Sequence, residues 1–401
     1  MIEHGTAKRD ARARPMLGAN PAMRRAWLAH NTGVVLDAIA QTAFTPEEVR
    51  GSVENLVGAV HVPLGICGPI RVNGEYADGW YHVPFATTEG TLVSTYQYGM
   101  RAIDEAGGAN TYVVADALDI TPCFILRDTR SALALAQWLR THLAELAAIA
   151  AETTAHGHLT DVRPHVFGRR VFAQCVFDTG DAMGMNMTNL AVDRVCARVR
   201  EAVDCERHYL RCNYSSDKKP AAIGLFRPYG KEVAVDVTLP GDVVRQHLGV
   251  DPHELMECSA TGRLGSMQAG ALGVNAHFAN GLAAIYIACG QDVAQVVNAS
   301  IGFLDIELLD DDRLYVAARL PNLVVGTVGG GTSLPTQREC LELMDCRGDG
   351  TARRFAEIVA ATLIAGELGI LAALADGRFI EAHRQNRLLA ARATTGSPAQ
   401  T

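Results

Sequence analysis

The segment Asp217-Lys218-Lys219-Pro220 constrains this chain more than any other. Pro220 disfavours the helical region for the residue before it, so Lys219 belongs to an extended or turning backbone. The two lysines therefore sit on a loop rather than along a helix face. An ammonium group held on such a loop can polarise a carbonyl or stabilise a developing oxyanion. Adjacent lysines alone are more often a solvated charge cluster, so the weight falls on the segments around them.

The chain has 401 residues, enough for two or three domains with a sizeable core. It is 48% hydrophobic and 20% charged, the balance of an ordinary globular protein. A net charge of -8 argues against a non-specific nucleic-acid binder but leaves room for a local basic pocket. The ten cysteines include no CxxC pair, and nothing like a zinc ligand set surrounds Cys340 and Cys346. The expectation is reduced, mostly buried thiols and no metal. Residues 1–15 are charged and lack the apolar core of a signal peptide. No run of eighteen apolar residues appears, and 282–289 is too short to span a bilayer. A cytoplasmic protein with no membrane partner is expected.

Residues 21–50 read as two short helices, the second opened by Thr45-Pro46-Glu47-Glu48. Asn73-Gly74 reads as a hairpin turn. A helix is expected from Thr88, with Glu89 in its first turn. Strand-like runs at 112–114, 124–126 and 171–177 and helical runs at 130–153 and 186–206 suit a strand-helix-strand-strand-helix-strand unit of ferredoxin-like type. Residues 276–300 read as one long apolar helix at the centre, followed by strands near 304–307 and 313–319 and helices at 334–345 and 351–390.

Six segments in order are similar to the 3-hydroxy-3-methylglutaryl-CoA (HMG-CoA) reductase family, most closely to its class I catalytic domain. They are Glu54-Asn55-Leu56-Val57-Gly58, Pro84-Phe85-Ala86-Thr87-Thr88-Glu89-Gly90, Asp181-Ala182-Met183-Gly184-Met185-Asn186, the lysine loop, Gly290-Gln291-Asp292-Val293-Ala294-Gln295, and Gly326-Thr327-Val328-Gly329-Gly330-Gly331-Thr332. The likeness runs from about residue 50 to about 387. It implies an α+β fold, a large helix-rich domain around a central apolar helix with an inserted small ferredoxin-like nucleotide-binding domain. The corresponding boundaries are an N-terminal helical segment at 1–52, a large domain at 53–112 and 220–401, the small domain at 113–210, and the catalytic lysine loop at 211–219.

Reducing a thioester to an alcohol takes two hydrides, a cation beside the carbonyl oxygen, and proton donors for the leaving thiolate and the aldehyde oxygen. The resemblance assigns these roles. Lys218 is the oxyanion cation and Glu89 the general acid, with a pKa that burial or a nearby carboxylate would raise. Asp292 couples the two, and His383 protonates the thiolate. NADPH is the implied cofactor, on Asp181, Met183, Met185, Asn186, Gly329 and Gly330, with Asn386 and Arg387 at its 2′-phosphate. No GxGxxG follows a strand, so a Rossmann site is not expected. Thr95, Arg101, Arg211, Asp217, Lys219, His277 and Asn280 are expected to face the thioester substrate.

The substrate-facing set departs from the family. Thr95, Gln97 and Tyr98 stand where Ser, Asn and Arg are usual. Tyr112 stands for an arginine, Arg211 for a serine and Thr261 for a carboxylate-binding lysine, with Arg263 two residues on. Arg211 and Arg263 could replace the lost cations. The resemblance implies NADPH-dependent reduction of HMG-CoA to mevalonate and CoA by a homodimer or higher assembly with active sites at the interface. The alternative is a paralogue that reduces another acyl-CoA or carrier-protein thioester. The intact Glu89, Lys218, Asp292 and His383 set argues against a catalytically silent homologue.

Overall fold

Among the described residues, ten strands form in chain order: β1 (Leu64–Gly74), β2 (Asp78–Ala86), β3 (Ala109–Ile120), β4 (Cys123–Ile125), β5 (His158–Phe167), β6 (Arg170–Asp178), β7 (Arg207–Tyr209), β8 (Gly230–Leu239), β9 (Phe303–Leu308) and β10 (Leu314–Leu323). The computed structural model describes residues 20–154 and 156–377. Sequence alternation explains the best-formed of these strands. Val233, Val235 and Val237 of β8 are buried, while the residues between them are half-buried on the other face.

The long strand β3 joins two parts of the protein. Its first half pairs with β8, from Asn110 opposite Asp236 to Ala117 opposite Gly230, and runs parallel to β1. Its last residues, Leu118 to Ile120, pair instead with β6. Two separate apolar cores lie on either side of this handover. One gathers Ile70, Val235, Ile285, Val316 and Leu363; the other gathers Phe124, Leu135, Phe177, Val195 and Val199. In the second part β7, β4, β6 and β5 lie side by side and antiparallel, with helices Thr129–Thr141 and Met185–Ala202 in the two crossovers.

The helix expected over 276–300 is broken. It runs from Phe278 to Ala288 and stops at Gly290, which takes a φ of +66°. A Cβ on Gly290 would lie 2.3 Å from the Gly331 carbonyl oxygen, so the turn is set by contact with a distant loop. The most buried helix among the described residues is Ala352–Ala375, in which every residue of 355–372 is buried. By length and composition that helix could cross a membrane, yet 83% of its most apolar stretch is buried inside the protein. Its two buried glutamates hold backbone turns. Glu357 accepts from the amides of Tyr76 (2.9 Å) and Ala77 (2.6 Å) in the β1–β2 turn, and Glu367 accepts from those of Ala276 and His277.

Three local expectations shift. Glu89 precedes its helix, which starts at Leu92, because Thr91 takes a φ of +75° and cannot lie inside it. The Thr45–Glu48 capping contacts form, but Gly51 at φ +93° follows and only turns result. The β1–β2 turn falls after Gly74, with Asn73 already paired to Asp78.

Candidate active site

Lys218 is the centre of the site. Its backbone is left-handed, with φ +54°. Its N–H donates to Asn298 Oδ1 at 3.1 Å, and its ammonium lies 2.7 Å from Asp292 Oδ2. Asp292 uses its other oxygen to accept from the amide of Ala294 at 3.1 Å, which caps the turn Val293–Gln295. The neighbouring Asp217 is buried and accepts from Gln295 Nε2 at 2.9 Å and from Arg211. Lys219 turns back, its ammonium donating to the Asp217 carbonyl at 2.8 Å.

Glu89 lies on the loop before Leu92–Glu105. Its carboxylate accepts two hydrogen bonds from Asn280 Nδ2, at 2.9 and 3.1 Å. Among the described residues the ion pair of Lys218 is with Asp292 alone, so the structure does not join all three groups through direct bonds. Glu89 is exposed, so the burial expected around it is not supplied by the described residues of one chain. His277 is buried beside it, stacked on Tyr96 with centroids 5.2 Å apart. Burial holds the His277 pKa down, while the Glu89 charge pulls it up. Beneath them burial raises the Glu367 carboxyl from 4.5 to about 7, against the pull of three backbone amides.

A cleft of about 610 Å³ opens next to Asp292. Three segments line it: residues 182–187, residues 290–293, and the glycine run around 326–331. Met183, Met185, Asn186, Gly329 and Gly330, which the resemblance assigns to the cofactor, all line it. Gly329 and Gly330 take φ of +81° and +57°, and nothing within 4 Å would meet a Cβ on either, so this turn borders open space. The 18-residue helix Met185–Ala202 presents its N-terminus there. Asp181 does not line the cleft. Its carboxylate accepts from the amides of Gly350 (2.6 Å) and Ala352 (2.9 Å), which fixes the start of the buried helix.

The other expected substrate residues are dispersed. Thr95 bonds its own helix, donating to the Thr91 carbonyl at 3.0 Å. Arg101 is exposed on that helix. Gln97 is locked to Gly68 through both amide atoms, at 2.9 and 3.0 Å. Arg263 is paired with Asp305 of β9. His383, Asn386 and Arg387 lie outside the described residues.

The family model for hydroxymethylglutaryl-coenzyme A reductase matches residues 20–387. The chain belongs to this family. It is 41% identical over 370 residues to the 3-hydroxy-3-methylglutaryl-coenzyme A reductase of Aeropyrum pernix, covering 90% of this chain and 88% of that protein. To the one of Halobacterium salinarum it is 43% identical over 369 residues, covering 90% and 91%. A solved 3-hydroxy-3-methylglutaryl-coenzyme A reductase of Streptococcus pneumoniae is similar with a TM-score of 0.67 at 18% identity, covering 89% of this chain and 97% of that one. The class II enzyme of that organism, bound to NADPH in open conformations, is similar with a TM-score of 0.66 at 20% identity, covering 82% and 79%. At those identities the structural likeness speaks for the fold, a mixed α+β architecture shared with HMG-CoA reductases.

For a member of the HMG-CoA reductase family, the structure adds three residues the sequence did not single out. Asn298 and Gln295 hold the lysine loop, and Glu367 holds the backbone of Ala276 and His277. Gln295 closes the Gly290–Gln295 segment, and a glutamine inside that apolar stretch was the available signal. Asn298 has no local signature.

Proposed function

We propose that this chain is an NADPH-dependent HMG-CoA reductase, producing mevalonate and free CoA by a four-electron reduction in two stages. The observation that carries the reading is the Lys218–Asp292 pair at the edge of a glycine-lined cleft. The cleft suits a dinucleotide, with a glycine turn bordering open space and a helix N-terminus for phosphates. Met183, Met185, Asn186, Gly329 and Gly330 would hold NADPH, with Asn386 and Arg387 at its 2′-phosphate. When bound, NADPH supplies a hydride at each stage.

The protein's own groups do the rest. The Lys218 ammonium, oriented by Asp292, stabilises the thioester oxygen as its carbon becomes tetrahedral. His383 gives a proton to the departing thiolate. Glu89, oriented by Asn280, gives one to the aldehyde oxygen in the second stage. His277 packs beneath Glu89, and Thr95, Arg101 and Lys219 are assigned to the CoA thioester.

The antiparallel order β7-β4-β6-β5 with two crossover helices supports an inserted ferredoxin-like domain at 113–210, within a large domain at 53–112 and 220–401. The exposure of Glu89 supports a homodimer whose partner covers the site. Cytoplasmic mevalonate synthesis for isoprenoids is the corresponding role.

One observation favours a second reading, a paralogue acting on another acyl-CoA or carrier-protein thioester. Arg211 and Arg263, the candidates to replace the family's carboxylate-binding cation, are both already ion-paired within the chain. The test is NADPH oxidation with HMG-CoA against a panel of acyl thioesters with and without a free carboxylate. Turnover of HMG-CoA above the panel supports the first reading; turnover of neutral acyl thioesters alone replaces it with the second.

A further inference from the structure

We infer that Arg211 is a positioning residue that ties the Lys218 loop to the helix opening onto the cleft, and that it does not read the acyl group. The inference rests on the proposed role of Lys218. Asp217, next to Lys218, has a side chain only 6% exposed, and a buried carboxylate is stable only with partners on its oxygens. Arg211 Nη2 donates to one oxygen and Gln295 Nε2 to the other. Arg211 Nη1 meets Met185 Sδ and Asn189 Oδ1, each at 3.2 Å, on the helix Met185–Ala202. Met185, the first residue of that helix, lines the cleft.

The contacts close a circuit. From the helix they pass through Arg211 to Asp217, through Gln295 to the turn capped by Asp292, and from Asp292 to the Lys218 ammonium. A guanidinium fork can hold two partners at fixed angles, which a lysine cannot. Turning Arg211 toward an acyl carboxylate would strip Asp217 of its cation. Arg211 therefore couples occupancy of the cleft to the position of Lys218.

The experiment compares Arg211→Ala, Arg211→Lys and Asn189→Ala with the wild type. It combines steady-state kinetics on HMG-CoA with titration of NADPH followed by its fluorescence. Arg211→Ala is expected to lower kcat on the order of 10- to 100-fold, the scale of a misplaced catalytic group. It should also weaken NADPH binding and leave KM for HMG-CoA within about threefold. Arg211→Lys should recover only part of kcat. A strong rise in KM with kcat and NADPH affinity preserved would mark a substrate cation and overturn the inference. If Arg211→Ala does not fold, Asn189→Ala keeps the Asp217 pair and decides. Weaker NADPH binding with reduced kcat supports the inference, and no change in either overturns it. The NADPH titration needs no acyl substrate. A wild type inactive on HMG-CoA would therefore defeat the proposed function, while that titration and kcat on an accepted panel thioester still judge Arg211.

Discussion

The Lys218 ammonium lies 2.7 Å from the Asp292 carboxylate, at the end of a residue whose backbone is left-handed at φ +54°. That conformation costs a residue with a Cβ about 1–2 kcal/mol. It persists because bonds fix both ends of the residue, Asn298 at the amide and Asp292 at the ammonium. The strain places the ammonium beside the cleft.

Lys218→Ala should leave the fold intact and lower thioester reduction by at least about a hundredfold, the scale of losing one oxyanion donor. Near-normal turnover by a folded Lys218→Ala protein would remove Lys218 from the mechanism.

Gly290→Ala should destabilise the protein by about 1–3 kcal/mol and weaken NADPH binding. The added Cβ meets the Gly331 carbonyl at 2.3 Å, and both glycines line the cleft. Gly330→Ala shares the left-handed backbone, at φ +57°, but its Cβ meets nothing within 4 Å, so it should be the milder change. Denaturant unfolding and NADPH titration of both variants check the order; the reverse order would refute the close-approach argument.

Stability should depend on pH through Glu367, whose carboxyl burial raises from 4.5 to about 7. A raised folded-state pKa means that the native protein binds the proton more tightly than the unfolded chain does. The stabilisation is complete below about pH 4.5 and is lost as pH rises toward about 7, by on the order of 3 kcal/mol. Glu367→Gln should flatten this part of the profile, leaving the same-sign contributions of Asp119, whose carboxyl burial raises to about 6, and of Glu357, which burial also raises. Parallel pH profiles of wild type and variant in urea unfolding would contradict the assignment.

Activity should depend on assembly, because Glu89 is exposed in the single chain. Dilution through the dissociation range, followed by sedimentation and by rate, should show both falling together. A fully active monomer would be incompatible with a shared site.

The parts of the site read from contiguous motifs were legible, because their residues meet within one loop or one turn. Met183 and Asn186 from one motif and Gly330 from another line the same cleft. What depends on distant contacts was not legible. Residues 276–300 have the composition of one helix, but Gly290 packs against Gly331 and breaks it. Asp181 looks like a cofactor carboxylate within its motif, yet its partners, the Gly350 and Ala352 amides, become visible only in three dimensions. Strand β8 was not read from the sequence, although its alternating valines carried the signal. Arg211 could be assigned only once Asp217 and Asn189 were found on either side of it.

The most direct measurement is the stoichiometry of a complete reaction with HMG-CoA, counting NADPH oxidised, CoA released and alcohol formed. The account predicts two NADPH consumed for each CoA released and each mevalonate formed. One NADPH per CoA with free aldehyde accumulating, or no CoA release from HMG-CoA while another thioester is reduced, would contradict it.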